Sequence, residues 1–296
     1  EEYIMYSLNK VGERTFYIDS PTNMGVYLIN DHDACLIDSG NDKDAGKKAL
    51  RLLEANGLNL KMIINTHSHA DHIGGNHLLE ERTGCKIYAP GEDCCYTEYP
   101  VLEPSFLFGG RPFDGIKTKF LYAAGSSAKP LETAGLPEGL EIKRFDGHSF
   151  AMAAVGTPDG VWFLGDAVVG ENILEKYRVS FLYDPGKHLE SLDRLKNLEG
   201  QLFIPSHALP QEKIKPLARV NKEVTLEICG AVLDICASPS TCEDVIAGIF
   251  DRYSIAMNFV QNAVIGSTVR SYLSFLHDKG EITADFKDNR LYWKKA

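Results

Sequence analysis

No stretch of the sequence strings together the roughly eighteen uncharged apolar residues that a membrane-crossing helix needs, so no membrane span is expected. Glu1-Glu2-Tyr3-Ile4-Met5 lacks the basic and apolar regions of a signal peptide, and the expected location is the cytoplasm. Paired cysteines are also missing. Seven cysteines include no CxxC, and the adjacent Cys94 and Cys95 cannot readily bridge each other, so reduced thiols are expected. Positive charge is short, with 31 Lys and Arg against 41 Asp and Glu and a formal charge of −10. That balance works against holding nucleic acid by broad phosphate neutralisation and against an anionic membrane surface. What is present is a 296-residue chain, 44% apolar, able to bury one large core and a smaller one.

β-branched and large apolar residues bounded by Asn, Asp and Gly mark strands at 26–29 and 34–37. Ala45, Ala49, Leu50, Leu52 and Leu53 before Gly57 predict a helix over 42–56. A short apolar strand at 60–65 runs straight into Thr66-His67, and a helix to Glu81 and a strand at 86–89 follow. Residues 91–136 show no clear periodicity, yet carry Tyr96, Tyr99, Phe106, Phe108, Phe113, Phe120 and Tyr122. A stretch of that kind is either a lid or a packed insertion with its own small core. Strands resume at 140–145, 151–157 and 161–164, the last two joined by a Pro158-Asp159-Gly160 turn. A helix at 188–198, a strand at 202–205 and a helix at 214–235 complete two sheets with helices outside. The tail then changes to helices at 244–253 and 260–279 and a hairpin over 282–293, which suggests a winged-helix module. The expected class is α/β (α+β), with a catalytic domain at 1–237 and a small winged-helix-like domain at 238–296.

Thr66-His67-Ser68-His69-Ala70-Asp71-His72 packs three imidazoles and a carboxylate directly after a strand. In extended backbone alternate side chains face the same way, so His67 and His69 can share one ion, while Asp71 and His72 begin the next helix and aim at a second. Further ligands are then required, and three polar residues stand at the ends of other apolar strands: His148 in Asp146-Gly147-His148, Asp166 in Gly165-Asp166, and His207 in Ser206-His207. His32, His77, His188 and His277 lack such context and are assigned to surface or packing roles. Asp38 either orients a ligand histidine or simply begins a turn.

HxHxDH followed in order by GH, GD and SH resembles the metallo-β-lactamase superfamily, in its glyoxalase II-like branch, over residues 20 to about 215. The resemblance implies an αββα sandwich with one metal on His67, His69 and His148, a second on Asp71, His72 and His207, and Asp166 bridging both. It further implies a dinuclear hydrolase in which a metal-bridging hydroxide attacks a small ester, thioester or lactone, with Asp71 managing the proton. Two zinc ions are the default, and iron or manganese suits the same ligands. Antibiotic hydrolysis is disfavoured, because the true antibiotic-hydrolysing members usually lack the bridging aspartate. The basic C-terminal pattern of the glutathione thioesterases finds no match here. A metal-dependent phosphodiesterase or endoribonuclease and a catalytically silent metal-binding sensor are the competing readings. The expected partner is a small molecule rather than nucleic acid, since 260–279 offers only Arg270 and Lys279 to a groove. Packing or homodimerisation is the expected role of the tail.

Overall fold

The computed structural model describes residues 6–296, so the N-terminal segment on which the leader expectation rests lies outside the described residues. Seven strands form the first sheet: β1 (Ser7–Lys10), β2 (Thr15–Asp19), β3 (Met24–Leu28), β4 (Asp33–Ile37), β5 (Asn59–Ile64), β6 (Lys86–Ala89) and β7 (Ala128–Pro130), paired in that order. β1 to β4 are an antiparallel meander, and β5, β6 and β7 add in parallel. Between them run α1 (Lys43–Ala55), α2 (Ala70–Ile73), α3 (Asn76–Thr83), α4 (Asp93–Glu98) and α5 (Leu102–Phe108). The second sheet contains β8 (Glu141–Arg144), β9 (Ala153–Gly156), β10 (Val161–Gly165) and β11 (Leu202–Pro205), in the order β11-β10-β9-β8. Helices α6 (Glu171–Tyr177), α7 (Pro185–Leu195) and α8 (Lys215–Ile235) go with this half. The chain ends in α9 (Cys242–Arg252), α10 (Phe259–Asp278) and the hairpin β12 (Ile282–Lys287) and β13 (Arg290–Lys295).

Strand alternation builds the layers. On β4, Ala34 and Leu36 face α1 and α3 with Ile63, Leu53 and Leu79, while Cys35 and Ile37 face the other sheet with Ile64, Phe163 and Ile204. On β10 the two faces separate in the same way: Trp162 and Leu164 pack with Leu192 and Leu217, Val161 and Phe163 with the first sheet. Because both faces of both sheets are apolar and covered, the product is a four-layer αββα sandwich. A register shift between Ala34 and Cys35 against β5 leaves Lys61 as the extra residue, so Leu60 and Met62 fall on opposite faces despite their even spacing.

Residues 91–136, expected to lack periodicity, contain α4, α5 and the edge strand β7. Leu107, Ile116 and Leu121 from this segment bury against Ala263 of α10, a small core of its own that is shared with the tail. α8, α9 and α10 in turn share one core, in which Val232, Ile249 and Tyr272 meet Val169, Leu174 and Leu182 from beside the sheet. Thr241 caps α9 through a reciprocal bond with Asp244, which fixes where the tail turns away from α8. Both cations of α10 are committed to neighbours, Arg270 to Glu243 at 3.7 Å and Lys279 at its end to Glu281 at 2.6 Å. Among the described residues no helix is long and apolar enough to cross a membrane, and all seven cysteines are free.

Candidate metal centre

β5 delivers the chain through Asn65 and Thr66 into His67, buried at the edge between the two sheets. His69 caps α2 with extended backbone, φ −64° and ψ 147°, which keeps it on the same side as His67. The single turn of α2 then swings Asp71 and His72 toward the opposite side of the site. His148, Asp166 and His207 arrive just after β8, β10 and β11. Gly147 (φ +123°) makes the approach of His148 feasible, because a Cβ there would lie 2.3 Å from the backbone nitrogen of His188.

All seven residues singled out from the sequence converge. His67, His69 and His148 form one group with ligand atoms within 4.8 Å, Asp71, His72 and His207 another, and His67, His72 and Asp166 a third that links them. His69 Nδ1 lies 3.1 Å from His67 Nε2 and 3.0 Å from His148 Nε2. Asp166 faces both sides: Oδ1 is 3.4 Å from His72 Nε2, while Oδ2 is 3.4 Å from His148 Nε2 and 3.5 Å from His207 Nε2. His207 Nε2 also reaches Asp71 Oδ2 at 3.0 Å.

The donor chemistry fits cations. Burial pushes His67 well below its ordinary range and His69 down to about 3, so both present neutral imidazoles. Burial also opposes a charge on His72 and His207, yet the carboxylates of Asp71 and Asp166 outweigh it, lifting His72 well above its usual range and His207 to about 9. That half of the site is a negative well. Within it His72 Nε2 and Asp166 Oδ1 are buried without a hydrogen-bond partner, an arrangement that is expensive unless something positive sits between them.

Asp38 does both things left open for it. It turns the chain at φ +60°, and its Oδ2 lies 2.9 Å from His72 Nδ1 while accepting from Thr66 Oγ1 at 2.8 Å. Its other oxygen accepts from the Thr66 backbone N–H at 2.8 Å. His32, His77 and His277 are exposed and His188 is buried, as assigned. Three neighbours of the site went unnoticed in the sequence. Asp93, buried in α4, accepts from the Ser68 N–H at 2.8 Å and pins the loop between His67 and His69; Glu103 of α5 and Phe181, 5.1 Å from the His69 ring, flank the histidines. None lies in a pattern: Asp93 and Glu103 sit in the aperiodic segment, and Phe181 sits in a loop.

The family model of the metallo-beta-lactamase superfamily matches residues 19–207. The chain belongs to that superfamily. Its curated relatives include a hydroxyacylglutathione hydrolase from Methylobacillus flagellatus, 25% identical over 58% of this chain and 57% of the relative. Another, from Bdellovibrio bacteriovorus, is 28% identical over 60% of this chain and 61% of the relative. The chain thus spans under two thirds of the length of either. A beta-lactamase domain protein from Burkholderia ambifaria shares the fold with a TM-score of 0.73 at 18% identity, covering 98% of this chain and 94% of its own. A metallo-beta-lactamase family protein from Thermus thermophilus does so with a TM-score of 0.73 at 20% identity, covering 96% and 99%.

In this superfamily member a cavity of about 230 Å³ opens directly over His69, Asp71, His148, Asp166 and His207. Phe106 and Leu107 of α5, Phe120 and Leu121 beyond it, and Val264 of α10 close it on one side. The segment 91–136 and the tail therefore meet above the histidines.

Proposed function

We propose that this protein is a hydrolase that uses two divalent metal ions, zinc by ligand preference, to cleave a carboxylic ester, thioester or lactone. The observation that carries the reading is Asp166, buried between the two groups with Oδ1 toward His72 and Oδ2 within 3.5 Å of both His148 and His207. His67, His69 and His148 would hold one ion, Asp71, His72 and His207 the other, and Asp166 both. When bound, such a pair supplies Lewis acidity toward the acyl oxygen and lowers the pKa of a water to near neutrality. The chain's own part is positional. Asp38 fixes the His72 ring through Nδ1, Asp93 fixes the loop carrying His67 and His69, and Phe181 shields the His69 and His148 rings. Asp71, which lines the cavity, takes the proton on the oxygen not turned to His207 as water adds to the acyl carbon; the bond to sulfur or oxygen breaks, and the leaving thiol or alcohol departs with that proton. The curated relatives named as hydroxyacylglutathione hydrolases support thioester chemistry. Among the described residues no Lys or Arg lines the cavity, so the phosphates flanking a scissile phosphodiester would find no side-chain cation there.

The test is one metal-quantified preparation assayed on acyl thioesters, lactones and single-stranded RNA beside a chelated control. Chelator-sensitive release of acid with intact RNA is expected, and cleaved RNA without acyl turnover would overturn the reading. Asp166→Ala should remove turnover and loosen at least one metal while the fold persists; tight retention of both metals with full activity would remove its bridging role.

A further inference from the structure

We infer that the substrate presents an apolar, uncharged acyl group of aryl or medium-chain size. The inference rests on the hydrolase reading above and narrows it. Six separate parts of the chain give apolar walls to the cavity: Phe106 of α5, Leu121 beyond it, Phe150 before β9, Ile173 of α6, Phe181 after it and Val264 of α10. Phe150 is itself held by rings on two sides, Tyr96 at 4.9 Å and Tyr183 at 4.2 Å between centroids, so this wall is rigid rather than a collapsed surface. At about 230 Å³ the space exceeds the roughly 150 Å³ apolar cavities that take up benzene.

Charge is as telling as shape. Apart from the metal-group side chains, the ionisable residues on the wall are Tyr96, Tyr177 and Glu103. None of the three brings a positive charge that would pair with an anionic acyl chain.

The test uses the full-length, metal-loaded protein and thioesters of one small neutral thiol, N-acetylcysteamine, varying only the acyl group. Each buried methylene is worth about fourfold, so kcat/KM should rise on the order of 100-fold from acetyl to hexanoyl, with lactoyl no better than acetyl. Val264→Arg should lower the hexanoyl-to-acetyl ratio by about tenfold or more. A flat series, or a preference for lactoyl over hexanoyl, would overturn the inference. Calorimetric titration with hexanamide and lactamide reads the pocket without turnover: hexanamide should bind at least about tenfold tighter, and equal binding would also overturn it. Absent turnover with selective hexanamide binding would instead fault the hydrolase reading.

Discussion

Asp38 adopts a left-handed conformation that aspartate tolerates better than most residues, because its short polar side chain can bond locally. From there one oxygen faces His72 Nδ1, leaving Nε2 turned into the site. Asp38→Ala should therefore weaken metal retention by roughly 10- to 100-fold in a chelator competition, and unchanged retention would deny the orienting role. His188 carries a different consequence. Burial holds it down to about 3, so the folded protein keeps it neutral while the unfolded chain takes up a proton below its ordinary pKa of 6.5. Its contribution to stability is present above pH 6.5 and is lost as pH falls from there toward 3. In His188→Leu the loss of stability between about pH 7 and pH 5 should shrink by about 2 kcal/mol, read from urea midpoints in the same metal state. An unaltered slope would assign the acid sensitivity elsewhere.

Among the elements, α4 shows why part of the site was illegible. At six residues it is under two turns, too short for a 3.6-residue period to register, and α5 at seven residues is little better. Yet α4 places Asp93 against the ligand loop, where burial raises its carboxyl to about 7. Asp93→Ala would leave the Ser68 N–H buried without its acceptor, a loss of about 1–3 kcal/mol, visible as a lower urea midpoint together with faster metal loss to a chelator. Retention at the original rate would limit Asp93 to packing. β1 is half-exposed at the sheet edge and has no apolar run, which explains why its sequence does not mark it as a strand. β4, β5 and β10, by contrast, are buried on both faces and were readable from composition alone.

At the scale of the whole molecule, the tail is part of the wall above the histidines. Ala263 of α10 is buried against Leu107, Ile116 and Leu121, and Val264 beside it lines the cavity. Ala263→Asp should open this contact, so that limited proteolysis cuts within 109–125 faster than in the parent protein while metal content stays the same. Cleavage at the parent rate would show that this segment is held by other contacts. A separate core explains why α9 and α10 pack onto α8: Val232, Ile249, Val269 and Tyr272 bury one another, and no single helix among them could cover its apolar face alone.

The sequence by itself determined the two sheets with helices outside and marked the seven candidate ligands, since both depend on local order: alternation along strands, and a polar residue where an apolar strand stops. His67, His69, Asp71, His72, His148, Asp166 and His207 could be read because each stands in such a place. Only the tertiary structure decided what surrounds them. Asp93, Phe181 and Val264 reach the site from α4, a loop and α10, segments distant in sequence from the ligands they serve. Their positions follow from packing between elements, and no periodicity records which distant faces will meet.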